Sequence, residues 1–225
     1  MRMEVFADGE TVASEAAKYV AAQAQQCVVL RGRFVFAVSG GKTPWVMLRD
    51  LTALELPWKD LHIVQVDERI APAGDPDRNL THLQECLLGH CPLPPEQIHA
   101  MPVNQVDLVE GARQYSQLLQ QLCGGVIDLV HLGLGPDGHT ASLVPGDGVL
   151  EVNDADVALT GVYQGRRRMT MTYPLLNRSR CILWLVTGND KAGMLKKLLQ
   201  ADHGIPAGRV RQEQAVIYAD RTAAD

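Results

Sequence analysis

Val126-Ile-Asp-Leu-Val-His-Leu-Gly-Leu-Gly-Pro-Asp-Gly-His-Thr-Ala-Ser-Leu-Val-Pro-Gly146 carries more architectural information than any other stretch of the chain. Its first part, Val126 to Leu132, is an apolar run of strand length, which predicts a buried strand of a parallel sheet. Three glycines then let the backbone turn sharply and approach a ligand closely. They deliver Asp137 and His139 to the strand's carboxyl end, the edge at which open α/β sheets bind ligands. A carboxylate and an imidazole placed there are candidates for acid–base chemistry.

The same alternation extends outward in both directions. Upstream, Thr11 to Ala24 has helical spacing, and Phe34-Val-Phe-Ala-Val38 reads as a strand ending in the turn Ser39-Gly-Gly-Lys-Thr43, with a helix from Pro44. His62-Ile-Val-Gln-Val66 is the next strand, followed by Asp67-Glu-Arg69, a polar loop (Ala71 to Arg78) and a helix from about Asn79 to Leu88. Pro92, Pro94 and Pro95 break the chain before a helix over Gly111 to Leu122. Downstream, strands are expected at Val157–Leu159, Met169–Thr172, Cys181–Val186 and Ala215–Tyr218, with a helix at Lys191–Leu199. Strands alternating with helices predict a Rossmann-like, mostly parallel sheet with helices on both faces. With no repeat, low-complexity segment or linker, residues 1–225 are expected to form a single domain.

Composition agrees with that size and class. The chain has 225 residues, of which 46% are hydrophobic, enough for a full sheet core. A net charge of −5 argues against nucleic acid as a partner, because binding a phosphate backbone needs a basic face. The five cysteines (Cys27, Cys86, Cys91, Cys123, Cys181) show neither CxxC pairing nor metal-ligand spacing, and read as reduced thiols in a cytoplasmic protein. The first residues lack the long apolar segment of a signal peptide, and no run is long enough to span a membrane.

Two motif look-alikes are set aside. Gly133-Leu-Gly-Pro-Asp-Gly138 spells GxGxxG, but the dinucleotide fingerprint normally opens a first βαβ unit and has an acidic residue at the end of the next strand. Gly41-Lys-Thr43 ends like a P-loop, yet the earlier glycine such a loop requires falls on Phe36.

Other segments bear on chemistry. In Ser39-Gly-Gly-Lys-Thr-Pro44, glycines at a helix N-terminus free backbone N–H groups for an anion such as a phosphate. A plain strand-to-helix turn with Thr43 as cap uses the same atoms, and this piece alone leaves both readings open. Asp67-Glu-Arg69 shares the sheet edge of the glycine loops. Arg69 can grip an anion bidentately, and Asp67 can bind sugar hydroxyls or orient a catalytic group, although such charges are often merely solvated. Arg166-Arg-Arg168 and Lys191 are further candidates for an anion clamp. His139 is the candidate general base, because imidazole titrates near ~6.5 and so serves around neutral pH. No second histidine or cysteine stands at metal-ligand spacing, so no metal is expected.

With these residues in hand, the chain resembles the glucosamine-6-phosphate isomerase and 6-phosphogluconolactonase family. Three blocks carry the likeness: Ser39-Gly-Gly-Lys-Thr-Pro44, Val66-Asp-Glu-Arg69 with Asn79, and Gly133 to Gly146, the last close to the lactonase pattern GxGxDGHTASLFPG. Weaker matches at Arg168-Met-Thr-Met171, Thr187 to Ala192 and Pro206 to Val210 extend it over nearly the whole chain. The resemblance implies metal-free and cofactor-free hydrolysis of 6-phospho-D-glucono-1,5-lactone to 6-phosphogluconate, the second step of the oxidative pentose phosphate pathway. It implies catalysis by His139 with Asp137 beside it. Ser39, Gly40, Gly41, Lys42, Thr43, Asp67, Arg69, Arg168 and Lys191 would contact the substrate. The glycine-loop amides would be candidate oxyanion donors.

Two departures from the lactonase pattern stand out: Val144 replaces the usual Phe, and Arg78 replaces the serine that commonly precedes Asn79. Asp67 matches the proton-transferring base of the deaminases. Those enzymes also carry a Glu after the His block, where Leu143-Val-Pro-Gly146 has no carboxylate, and this favours the lactonase. The competing expectations are an amino-sugar-phosphate isomerase or deaminase, and a non-catalytic sugar-phosphate sensor. The partner is expected to be a small-molecule sugar phosphate, with neither nucleic acid nor membrane involved, and the chain a monomer or small homo-oligomer.

Overall fold

The computed structural model describes residues 1–225. In chain order the elements are β1 (Arg2–Phe6), α1 (Gly9–Arg31), β2 (Phe34–Val38), α2 (Lys42–Leu51), β3 (Leu61–Gln65), β4 (Asp67–Arg69), α3 (Asn79–Leu83), β5 (Ile98–His99), α4 (Leu108–Cys123), β6 (Leu129–Gly133), β7 (Val157–Leu159), β8 (Arg168–Met171), α5 (Tyr173–Arg178), β9 (Ile182–Val186), α6 (Ala192–Leu199), β10 (Ala215–Asp220) and α7 (Arg221–Ala224). Seven strands form one parallel sheet in the order β1-β10-β9-β6-β2-β3-β5.

Strand alternation divides the core in two. Phe34, Phe36 and Val38 of β2 pack with α1 and α2, whereas Val35 and Ala37 point to the opposite face, with Tyr115 of α4, Leu175 of α5 and Leu195 of α6. The helices are held at their ends by short side chains. The Asp8 carboxylate accepts from the Thr11 amide at 2.8 Å to start α1, and Asp107 accepts from Val109 and Glu110 at 3.0 Å to start α4. Left-handed Gly32 and Gly124 close the same two helices.

The mostly parallel sheet with helices on both faces is present as predicted, with one correction. Val157–Leu159 and the run around Met169–Thr172, expected in the parallel sheet, form a second, antiparallel sheet in the order β4-β8-β7. Only eight residues separate Leu159 from Arg168, and a parallel crossover needs a dozen or more. A two-residue turn at Gln164-Gly165, both at positive φ, joins β7 to β8 instead. Asp67-Glu-Arg69, expected at the carboxyl end of the strand before it, is the third strand of this sheet.

Several boundaries also move. The central strand starts at Leu129 rather than Val126, because the Asp128 side chain leaves the ladder to accept from Val35 N (2.9 Å) and Arg31 (2.9 Å). α2 starts at Lys42, two residues before Pro44. Edge strand β1 and helix α5 lie outside the predicted set.

Candidate active site

Strands β2 and β6 are parallel neighbours, and the chain leaves them in opposite directions, toward β3 on one side and β9 on the other. This is the point where strand order reverses, and the loops that follow such strands open a crevice at their carboxyl ends. The turn after β2 carries Ser39–Thr43 and the loop after β6 carries Asp137 and His139. The crevice encloses a cavity of about 460 Å³.

All nine residues expected to contact substrate line this cavity together with His139: Ser39, Gly40, Gly41, Lys42, Thr43, Asp67, Arg69, Arg168 and Lys191. Asp137 stands behind His139. Its carboxylate takes the His139 Nδ1 at 2.6 Å and the His139 amide at 3.1 Å. A carboxylate only accepts, so Nδ1 carries the proton and Nε2 keeps the free lone pair. Burial pushes the Asp137 carboxyl up, but the His139 amide and ring, with Tyr163, outweigh it and hold the group below the ordinary carboxylate value. Gly135 makes this close packing possible: a Cβ there would overlap the His139 ring and sit 2.7 Å from Asp137 Oδ1.

The cation side is built by the second sheet. Arg69 and Arg168 are register partners in β4 and β8. Arg69 Nη1 donates to the Asp77 carbonyl (2.6 Å) and Asn79 Oδ1 (2.8 Å), while Arg168 reaches Gln164 (3.3 Å) and Ser142 (3.5 Å). The Nε atoms of both are buried without a partner. Burial pulls the Arg168 guanidinium down from its ordinary value, Asp67 pushes it up, and Arg69 pulls it down again. Lys42 and Lys191 bring the cavity lining to four cations, against the two carboxylates Asp67 and Asp190. A net-acidic chain thus concentrates positive charge at one place. Of the Arg166–Arg168 run only Arg168 lines the cavity: Arg166 pairs with Asp75 and Asp77 instead.

Asp67 is buried, and both its oxygens are engaged. Oδ1 accepts from Ser39 Oγ (3.3 Å) and Asn79 Nδ2 (3.4 Å), and Oδ2 accepts from Ser142 Oγ (2.6 Å). It ties the Ser39 turn, the start of α3 and the His139 loop into one frame. Glu68, fully buried, accepts from the amides of Arg69, Asn79 and Leu80 at 2.8 Å each, from Gln65 Nε2 (3.0 Å) and from Arg78 Nε (3.4 Å). Arg78, the departure noted in the sequence, is therefore the buried counter-ion of Glu68 rather than a loop contact.

One expectation changes here. Among the glycine-loop amides, Gly135 N bonds His139 O (2.8 Å) and Gly138 N bonds Gly135 O (3.0 Å), so these two close the turn and are not free oxyanion donors. Sequence reasoning also missed Ser142, Thr187, Tyr163 and His131. Ser142 stood inside the quoted motif, whereas His131 looked like an ordinary strand residue. It is buried, accepts from the Ser39 amide at 3.3 Å, and burial drives its pKa down to about 3. No group of three or more His, Cys, Asp or Glu side chains has the arrangement to hold a metal ion. No helix is long and apolar enough to cross a membrane.

The family model described as glucosamine-6-phosphate isomerases/6-phosphogluconolactonase matches residues 7–218. The chain belongs to this family. A 6-phosphogluconolactonase of Nostoc sp. is 31% identical over 202 residues, covering 87% of this chain and 84% of that protein. Among solved structures, the 6-phosphogluconolactonase of Thermotoga maritima superposes with a TM-score of 0.87 at 23% identity, covering 97% of this chain and 98% of that one. A monomeric glucosamine-6-phosphate deaminase also superposes with a TM-score of 0.87, at 22% identity, covering 100% of this chain and 99% of that one. The family fold thus accommodates both reactions, and the side chains of the site must separate them.

Proposed function

We propose that this chain hydrolyses 6-phospho-D-glucono-1,5-lactone to 6-phosphogluconate, the second step of the oxidative pentose phosphate pathway, in the cytoplasm. The observation that carries the reading is a hydrogen-bonded Asp137–His139 pair opening on the same cavity as four cations. A lactone carbonyl is already electrophilic, so the protein needs only to hold the substrate and activate water. Nε2 of His139 takes a proton from water as the water oxygen attacks C1. When the ring C1–O bond breaks, the imidazolium returns that proton to the departing oxygen. Asp137 stabilises the imidazolium between the two steps, as a carboxylate on the far nitrogen does.

The substrate phosphate is held at the other end of the cavity by the N-terminus of α2, whose first amides have no intrahelical carbonyl to bond, and by the surrounding arginine and lysine groups. Anchoring both ends converts an encounter into a positioned reaction. The deaminase reading asks Asp67 to move protons at the sugar. Asp67 is instead buried with both oxygens occupied by Ser39, Asn79 and Ser142, and the stretch Leu143-Val-Pro-Gly146 carries no carboxylate.

Loss of freshly made lactone, followed with and without protein against spontaneous hydrolysis, tests the reading, and ammonia release from glucosamine 6-phosphate tests its rival. A His139→Gln variant should stay folded, keep its affinity for 6-phosphogluconate and lose about 10²–10⁴-fold in kcat, the usual worth of a general base. An unchanged lactonase rate in that variant removes His139 from the mechanism.

A further inference from the structure

Tyr163 belongs to no motif and is absent from the cavity lining, yet it touches both halves of the site. Its hydroxyl donates to Asp137 Oδ2 at 3.1 Å and lies 3.5 Å from His139 Nδ1. Its ring meets the His139 ring edge-on, with centroids 5.5 Å apart and planes at 63°. The Arg168 guanidinium stands over the same ring, 5.0 Å from its centroid. One side chain therefore bridges the acid–base pair and a cavity cation.

The hairpin that presents it is anchored on its other side. Tyr163 and Arg166 exchange backbone hydrogen bonds across the Gln164-Gly165 turn (2.9 and 3.2 Å). Arg166 then binds Asp77 (2.8 Å) and Asp75 (3.0 Å), while Gln164 accepts from Arg168 (3.3 Å). The hairpin that carries the phenol is thus held from the β4–α3 connection as well as by its own Tyr163–Arg166 bridge.

Resting on the lactonase reading, we propose that Tyr163 is a positioning residue for catalysis: it fixes the second oxygen of Asp137 and walls the imidazole, so that His139 Nε2 keeps one orientation toward the substrate carbonyl. Asp137 Oδ1 already serves His139. Without a donor on Oδ2 the carboxylate can rotate about its χ2, a broad, weakly held torsion, and carry the imidazole with it. The charge on Asp137 makes this hydrogen bond stronger than a neutral one.

Tyr163→Phe keeps the ring against His139 and Arg168 and removes only the hydroxyl. It should lower kcat about tenfold, the loss expected for one charge-assisted hydrogen bond, with KM within about twofold of the parent. Tyr163→Ala removes the wall and the ring under Arg168 as well, so kcat should fall further and KM should now rise. Two measurements independent of turnover accompany these: the fraction of His139 in the Nδ1–H tautomer, read from imidazole nitrogen shifts by NMR, and binding of 6-phosphogluconate. Tyr163→Phe should reduce that tautomer fraction and leave product binding unchanged. A Phe variant with parental kcat, or with an unchanged His139 tautomer population, overturns the proposal. A parent protein that binds 6-phosphogluconate but does not accelerate lactone loss overturns the lactonase reading instead, and the tautomer measurement still decides the role of Tyr163.

Discussion

Replacing Glu68 by Gln changes one atom and should damage both stability and substrate binding. The carboxylate is fully buried and takes five donors, two on Oε1 and three on Oε2. A carboxamide accepts on one side only. If its oxygen takes the Oε1 place, the new NH₂ faces Gln65, Arg78 and the Leu80 amide. If it is flipped, the NH₂ faces the amides of Arg69 and Asn79. Either way at least two buried donors confront a donor, at about 1–3 kcal/mol each. The Arg78 guanidinium, only 2% exposed, also loses its counter-ion, though it keeps Asn104 at 3.1 Å. Breaking a buried pair by removing one charge costs about 3–5 kcal/mol, and we take that range for the whole substitution. For a domain of this length about 2–4 °C accompanies each kcal/mol, so Tm should fall by about 6–20 °C. Scanning calorimetry at neutral pH reads this directly. Because Asn79 and Arg69 border the cavity, KM for the lactone should rise in the same variant. A Tm within about 3 °C of the parent, with KM unchanged, would show that the polar frame around Glu68 is not what holds this side of the site.

Two further tests follow from the same geometry. Gly135→Ala places a methyl where the His139 ring and the Asp137 carboxylate sit, so kcat should drop by about 10²-fold, the cost of a displacement near 1 Å, while 6-phosphogluconate still binds; an unchanged kcat would contradict the packing described. His131 is neutral in the folded protein down to about pH 3, whereas in the unfolded chain it protonates near ~6.5. Between those values the unfolded chain holds the extra proton, so stability falls as pH drops, by about 2 kcal/mol from pH 7 to pH 5. In His131→Gln that share of the pH dependence should vanish from urea-unfolding free energies, and equal slopes for variant and parent would refute it.

Much of the frame was readable from sequence because it obeys hydrophobic periodicity. Phe34-Val-Phe-Ala-Val38 and Ile182-Leu-Trp-Leu-Val186 are continuous apolar runs, as strands covered on both faces must be. The two glycine loops announced the site because sharp turns at strand ends need those residues. The second sheet was hidden for the opposite reason. β4 is Asp67-Glu-Arg69, three charged residues in a row, and charge ordinarily means solvent. Here Asp67 and Glu68 are buried, and their donors come from residues up to 75 positions away, such as Ser142. Periodicity within one window cannot register such partners. Tyr163 escaped for the same reason: its neighbours suggest a turn, and its importance lies in where Asp137 and Arg168 happen to be.

The alternation of that short polar strand also explains how one segment can be both scaffold and site. Side chains on a strand point to opposite faces in turn. Asp67 and Arg69 therefore border the cavity, while Glu68 turns away to bind the start of α3 and Arg78. Antiparallel register then sets Arg69 directly opposite Arg168. Like charges directly opposite across a ladder are destabilising, and burial makes them more so. Asp67 offsets part of this, but it is one carboxylate against two guanidiniums, each with an Nε that nothing in the chain satisfies. A sheet that keeps two cations side by side in a crevice is incomplete without an anion there. On the proposed function the doubly charged phosphate supplies that charge, and the lactone carbonyl at the other end of the substrate is turned toward His139.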